Sequence, residues 1–178
     1  MRYSILIFAL VASTAISFGQ TKEKELTQAE QFSSQAGTLI ERQFIDIGKV
    51  KGVEIKVLKY KDLNAGTGKS ALRFEFDYKS SYSTDTKIAS LDADEIDGLI
   101  KSIKNLQINV FPTTREIYTE VTFKSRTGFE AGAYYSPDKT KWSTYVQIEK
   151  FDRNSMVFLS TEDFASLLSL IEQAKAKM

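Results

Sequence analysis

The chain has 178 residues, with 24 Lys plus Arg, 23 Asp plus Glu, no His and no Cys. Without His or Cys there is no Ser-His-Asp triad, Cys-His pair, thiol redox centre, iron–sulfur cluster or His- or Cys-ligated zinc. Any catalysis would rest on Asp, Glu, Lys, Tyr, Ser or Arg, and the near-neutral charge supplies no global field to gather polyanions.

Residues 1–19 read as a secretory signal. Arg2 gives a positive start, an apolar run follows over 4–15, and Ser17 and Gly19 stand at −3 and −1 for cleavage before Gln20. That run falls well short of the roughly 20 residues a bilayer helix needs. No Cys follows for a lipoprotein anchor. Export to the periplasm or outside the cell is therefore expected. Arg2 is the only charge in the signal, so the mature chain would carry 24 − 1 = 23 basic and 23 acidic residues, net zero.

Residues 20–36 are polar, a linker or a short helix. From 37 the pattern becomes strand-like, as one α+β domain in two halves, 37–110 and 111–178. Strands are expected over 39–47, 53–61, 72–78 and 82–91, with a break at Lys51-Gly52 and a loop over 63–70. In the third strand Leu72, Phe74, Phe76 and Tyr78 alternate with Arg73, Glu75, Asp77 and Lys79, the mark of a sheet covered on one side. Asp92 and Glu95 then form a capping box, and Ile96, Leu99, Ile100, Ile103 and Leu106 make one helical stripe.

The second half repeats this order. A strand over 116–125 would turn inward Ile117, Thr119, Val121 and Phe123, and Arg126-Thr127-Gly128 suits a three-residue hairpin loop with Gly128 left-handed. That register opposes Lys124 to Glu130 and keeps Phe129, Ala131, Ala133 and Tyr135 inside. Trp142, Thr144, Val146 and Ile148 form the next inner face, and a short strand over 156–159 leads to a helix capped by Ser160 with Asp163 three later. Leu91, Asp92, Glu95, Ile96, Leu99 and Ile103 recur 159 − 91 = 68 positions on as Leu159, Ser160, Asp163, Phe164, Leu167 and Ile171. The expected architecture is two ββββα units, an internal duplication, with antiparallel sheets each covered by one amphipathic helix.

Few residues point to chemistry. Gly66-Thr67-Gly68-Lys69-Ser70 resembles a phosphate loop, but Leu63 stands where the first Gly belongs and a strand follows where a helix is needed. Asp92, Asp94, Glu95 and Asp97 cluster without calcium-loop spacing, so capping and helix-dipole compensation account for them. The segment 138–149 has the length of a calcium loop, but Ser143 replaces its required Gly. No carboxylate pair or Ser-Lys dyad is singled out for catalysis, and neither a metal nor a cofactor is expected. Tyr118, Tyr134 and Tyr145 fall on outer faces of successive strands; ordinary β-propensity on half-exposed strands accounts for them, and the alternative is a patch that stacks on sugar rings or buries against a partner.

The doubled ββββα order is similar in topology to the PUR-type nucleic-acid-binding repeat and to secreted protease- or lactamase-inhibitor modules. The PUR likeness implies nucleic-acid binding, which the export signal and zero net charge oppose. The expectation is an exported, non-enzymatic binding or scaffold protein of the cell envelope, taking a protein or envelope glycan on an open sheet face. A carboxylate-dependent hydrolase of glycan or peptide, and a PUR-like repeat protein, are the alternatives.

Overall fold

The computed structural model describes residues 25–178, and the signal read over 1–19 lies outside the described residues. The polar segment contains a short helix, α1 (Gln28–Ser33). The Thr27 hydroxyl accepts from the Glu30 N–H at 3.0 Å, and the Glu30 carboxylate accepts from the Thr27 N–H at 2.9 Å.

Four antiparallel strands follow in spatial order 1-2-3-4: β1 (Ile40–Val50), β2 (Val53–Asp62), β3 (Gly68–Lys79) and β4 (Thr84–Asp92). Lys51 and Gly52 make the first hairpin with φ of 47° and 88°, the two left-handed residues that match strand twist in a two-residue loop. The loop expected over 63–70 is shorter, because β3 already begins at Gly68. The Asp62 carboxylate ties the turn by accepting from the Asn64 and Ala65 N–H groups at 2.8 and 3.1 Å. Period two sends Val53, Ile55, Val57, Leu72, Phe74, Ala89 and Leu91 into the core.

Helix α2 (Ala93–Asn105) starts at Asp92, whose N–H donates to the Glu95 carboxylate at 3.1 Å. Ile96, Leu99 and Ile103 are buried on one face, and a π-helical turn, Leu106–Val110, prolongs that face with Leu106 and Val110.

The second sheet, order 5-6-7-8, comprises β5 (Thr119–Lys124), β6 (Glu130–Ser136), β7 (Lys141–Gln147) and β8 (Met156–Leu159). Gly128 turns the first hairpin at φ 97°, and Lys124 faces Glu130 across the ladder with an ion pair of 3.0 Å. The strand expected from 116 starts only at Thr119, and Ile117, expected inside, is 74% exposed. Thr119 pairs with Tyr135, so the same register would set Ile117 against Pro137, which has no N–H to give the ladder. Helix α3 (Thr161–Lys175) closes the chain. At its start the Ser160 hydroxyl accepts from the Asp163 N–H at 3.1 Å, and the Asp163 carboxylate accepts from the Ser160 N–H at 2.9 Å.

The protein is thus an α+β fold of two ββββα units. Residues related by the 68-position offset share their environment: Ile96 and Phe164, Leu99 and Leu167, Ile103 and Ile171 are all fully buried. The halves share one continuous core. Phe74 of β3 stacks on Phe129, next to β6, at 4.4 Å and 14° between planes. Helix α3 reaches across to the first sheet and packs on β1 and β2, with Leu170 seated over Gly48. Helix α2 lies beside α3 and touches β3, β4 and β6. A second small cluster, Ala29, Leu58, Tyr60 and Ala71, places α1 on the outer face of the first sheet.

Candidate binding face

The two sheets present different outer faces. On the first, α1 covers part of the surface, and opposite charges pair over much of the rest. Lys56 reaches Glu75 at 2.7 Å and Glu54 at 3.2 Å, and Arg73 pairs with Glu75 at 2.5 Å. The hydrogen bond it donates to Glu75 is the main reason the Lys56 ammonium loses its proton less readily than usual, and those from Lys49 and Lys56 pull the Glu54 carboxyl down.

The second sheet carries a cluster of aromatics. Tyr118, Tyr134 and Tyr145, predicted on outer faces, are brought together there. Ring centroids of Tyr118 and Tyr134 lie 6.1 Å apart, and those of Tyr134 and Tyr145 6.5 Å. Phe158 joins them edge-on to Tyr134 at 6.5 Å. Tyr118 and Phe158 are more than half exposed, Tyr134 is half-buried and Tyr145 is buried. Phe158 was not singled out from sequence, although Met156 and Phe158 alternate with the buried Val157 and Leu159.

Gly132 explains why Tyr145 is buried on a face that no helix covers among the described residues. The two are cross-strand partners, and Tyr145 reaches past Gly132 to Thr122, its hydroxyl 3.1 Å from Thr122 Oγ1. A Cβ at residue 132 would come within 2.6 Å of the Val121 carbonyl oxygen and 2.9 Å of Thr122 Oγ1, so this position admits only glycine. An aromatic laid over a strand glycine restores the packing the glycine lacks. Burial pushes the Tyr145 phenol up. The Tyr118 phenol donates to the Glu120 carboxylate, which, with a smaller effect of burial, raises it to about 12. Lys124 and Glu130, paired across β5 and β6, share the face with the rings.

The acid cluster has a structural occupant. Carboxylate oxygens of Asp92, Asp94 and Glu95 lie within 4.8 Å of one another. The Arg126 guanidinium sits among them, 2.8 Å from Asp92, 2.8 Å from Asp94 and 3.7 Å from Glu95. Asp92 also accepts from the Gln28 and Ala29 N–H groups at 2.8 and 3.2 Å, and Glu95 accepts from the Arg126 N–H at 2.6 Å. The position a cation would take is filled, and Asp92 joins α1, α2 and the β5–β6 hairpin. Sequence reading attributed these acids to capping and missed Arg126, which is 34 residues from Asp92 with no local signal.

A second polar knot joins the halves. Lys87, its side chain 11% exposed, meets Asp85 at 2.5 Å and Asp152 at 2.7 Å. Hydrogen bonds that Lys87 donates to Asp152 and Asp85 hold it protonated far above its ordinary range, and Lys87 draws Asp152 down. The carboxyl groups shifted in acidity, Glu54, Asp152, Glu162 and Asp163, are all lowered, the opposite of a general acid kept protonated at neutral pH.

Residues 66–70 run straight into β3 and open no helix, so their N–H groups do not converge as a phosphate cradle. They line an open groove of about 390 Å³ whose walls include Lys59, Lys61, Lys69 and Glu41. Among the described residues no helix is long and apolar enough to cross a membrane. No protein-family model matches the chain, and no curated protein or solved structure matches it.

Proposed function

We propose that this protein is an exported, non-enzymatic binding protein of the cell envelope whose ligand lies on the outer face of the second sheet. One observation carries the reading: Tyr118, Tyr134, Tyr145 and Phe158 form a contiguous aromatic surface, with Tyr118 and Phe158 more than half exposed. Large apolar area kept in water marks an interaction site. Envelope glycan is the favoured ligand class. Flat rings offer faces to the C–H groups of sugars, while Glu120, Ser143 and Gln147 on the same face supply hydrogen-bond partners for hydroxyls.

The test is co-sedimentation with insoluble cell-wall polysaccharide, with calorimetry on its solubilised fragments. Tyr118→Ala and Phe158→Ala alter exposed positions, so each should leave folding within about 0.5 kcal/mol. Together they should weaken binding at least about tenfold, as losing central aromatic anchors does. Binding unchanged by the double variant would refute the face. Absence of glycan binding, with capture of an envelope protein by the wild type alone, would reassign the ligand to protein.

A further inference from the structure

The structure assigns to β1 a second role: we infer that its free edge pairs antiparallel with β1 of a second copy, joining two first sheets into one of eight strands. Strand β1 is eleven residues long and is paired only with β2 among the described residues. A long open edge is a template for strand addition and is ordinarily blunted. The only irregularity here is the register shift between Asp46 and Gly48, which leaves 40–46 regular. In the middle of that stretch Phe44 is 57% exposed.

Backbone geometry fixes which residues could pair. The Leu63 N–H donates to the Leu39 carbonyl at 2.9 Å, so in an antiparallel ladder the odd residues 39, 41, 43 and 45 bond toward β2. The N–H and C=O groups of Ile40, Arg42, Phe44 and Asp46 therefore point to the open edge. Two-fold pairing must match these even residues with one another. Centring the axis on Phe44 sets Phe44 against its own copy and Arg42 against Asp46, twice by symmetry, all on the outer face. Centring it on Arg42 would oppose two guanidinium groups. Centring it on Gln43 would set Asp46 against Ile40 and give neither acid a charge across the new ladder, leaving each only its own chain's Lys56 at 3.9 Å. The Phe44 register alone gives an aromatic pair flanked by two opposite-charge pairs, the combination that stabilises neighbouring strands. The strand is self-complementary, as a two-fold interface requires.

The absence of cysteine makes the register directly readable. In the Phe44 register the two residue-44 Cα atoms would lie about 5.5 Å apart, within disulfide range. The residue-42 pair would be about 14 Å apart, beyond it. Under mild oxidation Phe44→Cys should form a covalent dimer and Arg42→Cys should not. By analytical ultracentrifugation, Arg42→Asp and Asp46→Arg should each self-associate at least about tenfold more weakly than wild type, through like charges set opposite. An equimolar mixture of the two should recover dimer, because each supplies the charge the other needs. A wild type that stays monomeric at several hundred micromolar, cross-linking through residue 42 instead of 44, or a mixture no better than its components would overturn the interface.

Discussion

The Phe74–Phe129 stack gives the sharpest test that the two halves are one folding unit. Phe74 lies in the first sheet and is fully buried against Phe129 of the second half at 4.4 Å. Truncating a buried phenylalanine to alanine costs about 3–5 kcal/mol, from lost burial and the cavity left behind. With a urea dependence of about 2 kcal/mol per molar, Phe74→Ala should lower the unfolding midpoint by about 2 M. The reporter sits in the other half. Trp142 is the only tryptophan, and its indole N–H donates to the Thr113 carbonyl at 2.7 Å. A shared core requires the Trp142 fluorescence transition to move with the far-ultraviolet circular dichroism transition, by the same amount. If Trp142 keeps its wild-type midpoint while the dichroism curve splits in two, the halves unfold independently and the reasoning fails. A double cycle with Phe129→Ala should return a coupling of about 1 kcal/mol, the usual worth of an aromatic pair beyond its area.

Three further outcomes follow from other contacts. Asp92→Ala removes a buried carboxylate that pairs with the exposed Arg126 and leaves the Gln28 and Ala29 N–H groups without their acceptor, so it should cost about 1–3 kcal/mol, measured by urea denaturation. Asp152 and Asp163 are held below their ordinary value of 3.8, so the unfolded chain binds more protons than the folded one there. Their stabilisation is complete above about pH 5 and is lost as pH falls through the lowered values. Lys87 is shifted the other way, so its share is complete below its ordinary 10.5 and fades as pH rises beyond that. A urea-midpoint profile against pH should show both limbs, and Asp152→Asn should flatten the acid one. Gly132→Val drives side-chain carbon into the Val121 carbonyl and should cost about 1–3 kcal/mol by thermal melting, as overpacking does.

Much of the fold is legible because it rests on local chemistry. Period-two alternation placed Leu72 and Phe74 inside, the reciprocal Ser160 and Asp163 bonds start α3 where the capping box stands, and Gly128 fixes the register that sets Lys124 against Glu130. What escaped depends on distant partners. Nothing near Ile117 says that its ladder neighbour would be a proline across the sheet. Nothing near Asp92 announces a guanidinium from residue 126. At the aromatic face, alternation alone put Tyr118, Tyr134 and Tyr145 on one side. Phe158 was overlooked because four residues of β8 give the period little room to appear. The flat glycine floor under Tyr145 is a cross-strand relation that no linear pattern encodes. The reach of α3 to the first sheet is also a matter of tertiary packing, since its stripe would fit either sheet.

The most direct test of the aromatic face is fluorine nuclear magnetic resonance on protein labelled with 3-fluorotyrosine, titrated with solubilised cell-wall glycan. Each tyrosine gives its own signal, assigned by Tyr→Phe substitution, so the ligand's position is read residue by residue. The expected result is a saturable shift confined to Tyr118, Tyr134 and Tyr145, with Tyr60, Tyr78 and Tyr82 of the first half unmoved. Shifts centred on Tyr60 or Tyr78, or none at any tyrosine while the glycan still co-sediments with the protein, would contradict binding at this face.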